Sequence, residues 1–251
     1  MIPQKIHYCW FSKKPYPQQV LLCMESWKKN LPGYEWIHWD ECRARKIHIP
    51  WIDKALDEHR WAFASDAVRL YAIYTEGGIY LDCDVEILKS FDSLLKRSYF
   101  FGYENGSSRI EGAIFGAEKN FPAIQKALDY YRTHSFHYQE AEIDSIVLPN
   151  IMANSFQDFQ LEIFSEDSFS PKSFINGKIQ KTSATLAIHH FSSSWRSSIQ
   201  QKSIRQRQWL YRTLPKPIAK ILAAILSLRT NLKLLGFRKT WSKIFNRHSA
   251  F

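Results

Sequence analysis

Cysteine is scarce: the 251 residues hold four, Cys9, Cys23, Cys42 and Cys83, with neither a CxxC pair nor a Cys/His ligand spacing among them. That excludes a disulfide framework and a zinc site as organising features. Long apolar runs are missing too. No window reaches the about 18 uninterrupted apolar residues of a membrane span, and the opening MIPQKIHYCWF has no apolar core of a secretory signal. The expectation is a cytoplasmic chain with reduced thiols. Glycine and proline are modest, at 9 and 10, there is no internal repeat, and the only compositional bias is the cluster SSSWRSS at 192–198. A low-complexity or disordered protein is therefore excluded.

The most informative absence is of negative charge. From Arg196 to Phe251 there is no Asp or Glu against 13 Lys and Arg, which leaves 21 of the 34 basic residues to face all 24 acidic ones in the first 195 positions. The net charge of +10 is thus a property of a C-terminal appendage, and the body is slightly acidic. Two segments follow, a body over 1–195 and a basic tail over 196–251. No nucleic-acid-binding module accompanies the charge, so nucleic acid is not the expected partner.

Aromatics are plentiful, with nine Trp, 12 Tyr and 17 Phe, enough for a well-packed core with partly amphipathic clefts. The body reads as alternating elements. QKIHYCW suits a strand, Pro17 to Lys29 a helix with Val20, Leu21, Met24 and Trp27 at helical spacing, and YEWIHW a second strand. Trp61 to Glu76 is predicted as a helix with Phe63, Ala67, Leu70 and Tyr74 on one stripe, closed by Gly77 where a C-terminal cap needs positive φ. IYLD follows as a short buried strand. SYFFGYE and IFGA are further strand candidates, and helices are expected near Pro122 to Arg132 and Ile146 to Phe156. The class is α/β, a mostly parallel sheet flanked by helices.

In such sheets ligands collect beyond the carboxyl ends of the strands, which is where Asp82 and Asp84 of YLDCD fall. On an extended segment residues i and i+2 face one side, so both carboxylates can meet one hard cation whose oxygen shell a diphosphate completes. With 11 aspartates in the chain a chance DxD is not rare, and a strand ending in solvated aspartates is the competing reading.

The wider string FASDAVRLYAIYTEGGIYLDCDVEIL resembles the DxD region of glycosyltransferase family 32, whose members include bacterial capsule and lipopolysaccharide sugar transferases, and the corresponding segment of the clostridial glucosylating toxins. IPQKIHYCWF resembles the family's opening strand and AIHHFSSSW, at 187–195, its closing one. The resemblance spans residues 2–195. It implies a GT-A fold, a divalent metal (Mn²⁺ or Mg²⁺) and a nucleotide-sugar donor, most simply a UDP-sugar. It makes Asp84 a direct metal ligand and Asp82 a partner of the ribose or of the metal's water shell. Trp10 would stack on the base, a role that competes with that of a core tryptophan. Asp66 and Arg69, three apart on one helix, would reach the donor sugar, against the alternative of a helical salt bridge. His190 would complete the metal shell, Ser193 would donate to the metal or diphosphate, and the Trp195 indole N–H would meet the β-phosphate; His189 reads as structural. The chain departs from the family at IEGAIFGA, where Glu111 and Gly112 stand in place of an Asn, and at VLPNIM, which lacks a Gly-Pro. With no carboxylate marked as a covalent nucleophile, the implied retaining reaction is a front-face transfer to a saccharide or lipid-linked saccharide.

Two other classes compete. LDCDVEIL superficially resembles the nucleophile motif of haloacid dehalogenase-type phosphatases, although no later acidic pair follows, and a non-catalytic membrane adaptor could reuse a degenerate transferase. In the tail, Ile218, Ile221, Leu222, Ile225, Leu228, Leu232 and Leu235 recur at helical spacing. With basic residues around that stripe, the expectation is an amphipathic helix on an anionic membrane surface, and a helix packed on the body is the alternative.

Overall fold

The computed structural model describes residues 1–107, 109–139, 143–192 and 197–245. The opening is the expected βαβ unit: β1 (Lys5–Cys9), α1 (Gln18–Asn30) and β2 (Glu35–Trp39). Two short helices, α2 (Glu41–Arg45) and α3 (Pro50–Asp57), lead to α4 (Trp61–Glu76) and β3 (Gly78–Leu81). Then come β4 (Val85–Ile87), α5 (Asp92–Leu95), β5 (Tyr99–Phe100), β6 (Ile114–Ala117) and α6 (Pro122–Thr133). The body ends with α7 (Ile143–Ile146), α8 (Leu148–Ser155), α9 (Glu166–Phe169) and β7 (Ala187–His189). The tail is α10 (Ser198–Thr213) and α11 (Lys216–Phe245), the latter broken at Gly236 with φ 72°.

The central sheet has the order β2-β1-β3-β6-β5. β1 runs parallel to β2 and β3, β6 is antiparallel to β3, and β5 is antiparallel to β6, so four strands point one way and β6 alone is reversed. This is the mostly parallel α/β sheet expected. Helix α4 covers one face with Phe63, Ala64, Ala67, Val68 and Leu70, all buried, and α1 covers the other with Val20, Met24 and Trp27. Burial of a stripe from each helix, at about 25 cal/mol per Å² of apolar surface, is what holds the three layers together.

The sheet is joined closely to the helix before β3. Gly77 caps α4 with φ 65°, as expected, and a Cβ there would lie 2.8 Å from the Lys119 nitrogen. Its carbonyl accepts from His7 Nε2 at 2.9 Å, while His7 Nδ1 accepts from Trp39 Nε1 at 3.1 Å. Those two bonds fix one neutral tautomer. Burial holds the His7 pKa down at about 4, so the ring enters the core uncharged.

A separate pair, β4 with β7 antiparallel, lies beyond the end of β3. Its outer edge is closed by α1 rather than by a strand. Trp27 Nε1 donates to the Val85 carbonyl at 2.7 Å, Asn30 Nδ2 to the Ile87 carbonyl at 2.8 Å, and Ser26 Oγ accepts from the Ile87 N–H at 2.8 Å. Side chains at i, i+1 and i+4 of the helix thus do the work of a missing neighbour, and the edge is satisfied. Among the described residues, no helix is long and apolar enough to cross a membrane.

Candidate active site

Asp82 follows β3 directly, at the carboxyl end of the parallel strands. The two carboxylates do not converge by extended i, i+2 geometry, as the spacing alone predicts. The Val85 N–H closes a turn on the Asp82 carbonyl at 3.0 Å, and that turn brings Asp84 round beside Asp82. Cys83, between them, is buried and touches the end of β1 through a contact of Sγ with the Cys9 carbonyl at 3.4 Å. The residue next to that contact is Trp10, partly buried and tilted against Tyr16 with centroids 4.9 Å apart. The opening strand and the acidic turn therefore meet, as the sequence blocks imply.

Asp82 is held mainly by Arg69. The guanidinium, 5% exposed, lies 3.2 Å from both Asp82 oxygens and 3.2 Å from Asp66 Oδ1. It also donates to the Gly112 carbonyl at 2.7 Å, to the Ser65 carbonyl at 3.2 Å and to Ser65 Oγ at 2.9 Å. Tyr80 OH gives Asp82 a further bond at 2.8 Å. Four of the five Arg69 N–H groups are used in these bonds to Asp82, Gly112 and Ser65, and the guanidinium sits between Asp82 and Asp66, so the arginine braces the acidic turn. The Asp66–Arg69 pair is a salt bridge, as the bland alternative had it, but a buried one that extends to the acidic turn. Burial pushes the Asp66 carboxyl up to about 7, with Arg69 opposing the shift. Burial also raises Asp82, again against Arg69.

Asp84 is held from the other side. Its Oδ2 accepts from the Ser192 N–H at 2.8 Å, and its Oδ1 lies 3.6 Å from His189 Nε2. Burial alone would raise its pKa, but His189 and Ser192 outweigh burial and lower it. The ligand-type atoms of Asp82, Asp84 and His189 all lie within 4.8 Å of one another. Two carboxylates and an imidazole so close make a donor set suited to a divalent cation, with the imidazole favouring Mn²⁺ over Mg²⁺.

The histidine in that cluster is His189, where the sequence reading placed His190. Strand alternation separates the two histidines, and the turn closed by the Val85 N–H on the Asp82 carbonyl takes Asp84 out of that alternation and toward His189. Neighbouring residues on a strand face opposite sides, and the β4/β7 register sets Val85 against His189 and Glu86 against Ile188. His190 therefore lies on the side of Glu86, which it meets through Nε2 at 2.9 Å. Ser193 and Trp195, the other closing-block candidates, lie outside the described residues.

Sequence reading also missed the part played by 111–113. Glu111 meets His189 Nδ1 at 3.1 Å, the Gly112 carbonyl takes Arg69, and the Ala113 carbonyl takes the Asp82 N–H at 2.9 Å. Three consecutive residues thus brace the three components of the site. The available signal was an acidic residue inside the otherwise apolar run IEGAIFGA, where burial without a partner would be costly.

Residues 17–101 match the family described as the glycosyltransferase sugar-binding region containing the DXD motif. The chain is 26% identical over 141 residues to inositol phosphoceramide mannosyltransferase 3 of Schizosaccharomyces pombe, covering 55% of this chain and 39% of that protein. It is 25% identical over 262 residues to glucan organizing enzyme 1 of Cryptococcus neoformans, covering 86% and 70%. Among solved structures, the PaToxG glycosyltransferase superposes with a TM-score of 0.50 at 20% identity, over 62% of this chain and 69% of that one, and shares the fold. The chain spans about two fifths of the yeast mannosyltransferase's length. The family description and the name of the mannosyltransferase both refer to sugar transfer.

Proposed function

We propose that this protein, a DXD-motif glycosyltransferase through its residues 17–101, moves a hexose from a nucleotide-diphosphate sugar, most simply UDP-linked, to a saccharide acceptor with retention. The observation that carries the proposal is the convergence of Asp82, Asp84 and His189 within 4.8 Å beyond the carboxyl end of β3. A divalent cation bound there supplies Lewis acidity, offsetting charge on the departing diphosphate. The chain's own work is placement. Arg69 and Tyr80 hold Asp82, His189 and the Ser192 N–H hold Asp84, Trp10 offers a ring for the base, and Asp66 faces the donor sugar's hydroxyls.

A cleft that adjoins Asp84 through Ser192, and that neither Asp84 nor His189 lines, is suited to an anionic ligand. It has a volume of about 280 Å³, and Gln19, Lys172, Phe174, His190, Gln201 and Arg205 are among its lining residues, which include no carboxylate. Such a lining favours phosphate oxygens. A thermal-shift screen of nucleotide sugars tests the assignment, because a ligand that binds only the folded state raises its apparent stability. A shift is expected with one nucleotide sugar, larger with Mn²⁺ than with EDTA; no shift with any nucleotide sugar or free nucleotide diphosphate would reject it.

The proposed acceptor is an intermediate of surface polysaccharide synthesis, presented at the inner face of the cytoplasmic membrane on a lipid carrier. Support comes from the tail. α11 packs on α10 through small residues, with Ala219 and Ala223 buried against Leu210 and Thr230 Oγ1 bonded to Ser203 Oγ at 2.9 Å. Its large apolar side chains, Ile218, Ile221, Leu222, Ile225, Leu228 and Leu232, remain exposed rather than packed on the body. An apolar stripe among cations suits an anionic bilayer surface, each nearby cation adding about 1 kcal/mol. The full chain is expected to co-float with phosphatidylglycerol vesicles and to lose flotation in Ile221→Glu/Ile225→Glu; equal flotation of that variant would remove this role from α11.

A further inference from the structure

Glu111 is an acidic side chain only 2% exposed, and no part of the proposed transfer uses it. A carboxylate at such depth is tolerated only when its oxygens are paired and bonded. Its bonds are specific. Oε1 accepts from the Ala113 N–H at 2.9 Å, Oε2 accepts from Ser170 Oγ, itself fully buried, and the two oxygens lie 3.1 and 3.2 Å from His189 Nδ1.

A carboxylate accepts and does not donate, so His189 Nδ1 must carry a hydrogen. Nε2 is then the nitrogen left for another partner. It points to Asp84 Oδ1 at 3.6 Å, beyond a good hydrogen bond, into the space that Asp82 and Asp84 share. Backbone geometry fixes the other end of the relay. The Glu111 N–H donates to the Gly102 carbonyl at 2.8 Å, and at the neighbouring Gly112 a Cβ would stand 3.0 Å from Leu148 Cδ2, close enough that the leucine side chain would have to shift.

We infer that Glu111 is a positioning residue for the cation centre: held by Ser170 and the Ala113 N–H, it fixes the His189 ring and tautomer so that Nε2 is presented between Asp82 and Asp84. The arrangement is a carboxylate–histidine pair behind a ligand site, which orients the imidazole and raises its basicity. The inference rests on the cation reading of the Asp82, Asp84 and His189 cluster, and extends it to a residue that touches neither cation nor donor.

The test is Mn²⁺ binding without donor, followed by loss of the free-ion paramagnetic resonance signal, together with nitrogen modulation of the bound ion by electron spin echo. For the native chain, tight binding with imidazole nitrogen coupling is expected. Glu111→Ala should weaken Mn²⁺ by about 10- to 100-fold, the scale for losing such an outer partner, and should abolish the nitrogen coupling. Glu111→Gln keeps a carbonyl acceptor and should lose less affinity and retain the coupling. Thermal unfolding of each variant without metal reads any merely structural cost separately. Native-like affinity and coupling in folded Glu111→Ala would overturn the inference alone, whereas no Mn²⁺ binding by the native chain would overturn the cation reading and this inference with it. If Glu111→Ala does not fold, Glu111→Gln decides: native affinity overturns the inference, and weakened affinity with coupling retained supports it.

Discussion

Asp84→Ala is expected to lower sugar-nucleotide turnover by about 10² to 10³-fold, the scale for removing one positioned electrostatic group from an active site. Asp84 is buried, it is the nearest carboxylate to His189 Nε2, and its other oxygen takes the Ser192 N–H. Losing it removes one ligand atom and one unit of negative charge where a divalent cation must bind, and it releases the segment that follows β7. Excess EDTA should imitate the substitution in the native chain. Both effects are read as release of nucleotide diphosphate at saturating donor, with circular dichroism to establish that the variant is folded. Undiminished turnover in either case would contradict the assignment.

Arg69→Met is expected to do more damage to the fold. The guanidinium is the only cation within reach of Asp66 and Asp82 among the described ion pairs, and it also satisfies the Gly112 carbonyl and both acceptors of Ser65. Methionine fills much of the volume but leaves two carboxylates uncompensated, and breaking a buried pair in this way costs about 3 to 5 kcal/mol. Urea denaturation should show that loss. Turnover at a temperature where the variant stays folded should also fall, because Asp82 loses its main anchor. Arg69→Lys should recover part of the stability but little turnover, since an ammonium cannot bridge Asp82, Asp66 and Gly112 in one plane. A Met variant as stable and active as the native chain would mean that the network is incidental.

Much of the frame could be read from periodicity. Helix α4 occupies the expected 61–76, capped by Gly77 at positive φ, and IFGA is β6 as expected, because Phe63, Ala67 and Leu70 make a helical stripe and strong turn signals flank the strands. Two aspartates after a buried strand marked the place of the site, but the turn that joins them was not legible, because the i, i+2 spacing alone puts both on an extended segment. The reversed direction of β6 was not legible, since strand patterns carry no sign, and SYFFGYE is a strand only over Tyr99–Phe100. The five-residue α2 is too short for a period to appear, whereas α3 carried a helical signal that went unread, with Pro50 at its first turn and Trp51, Ile52, Ala55 and Leu56 on one buried face.

The choice between two adjacent histidines shows where local reading runs out. His189 and His190 are chemically identical, and which one faces Asp84 and Glu111 depends on the pairing of β7 with β4, some 100 residues earlier in the chain, and on the turn that takes Asp84 out of the strand alternation. A slip of one residue would exchange their roles. Arg69 is a parallel case. Its helical spacing from Asp66 was visible, but its bonds to Asp82 and Gly112 depend on how α4, β3 and the approach to β6 come together.

One divalent cation would be held by Asp82, Asp84 and His189, where it would meet the donor's diphosphate. Anomalous diffraction at the manganese absorption edge, from crystals grown with Mn²⁺ and UDP, tests it most directly. A single strong peak in contact with Asp84 and His189 Nε2, beside Asp82 and bridged to the UDP phosphates, is the expected result. A peak held by His190 and Glu86, or UDP bound in full with no peak at the acidic turn, would contradict it.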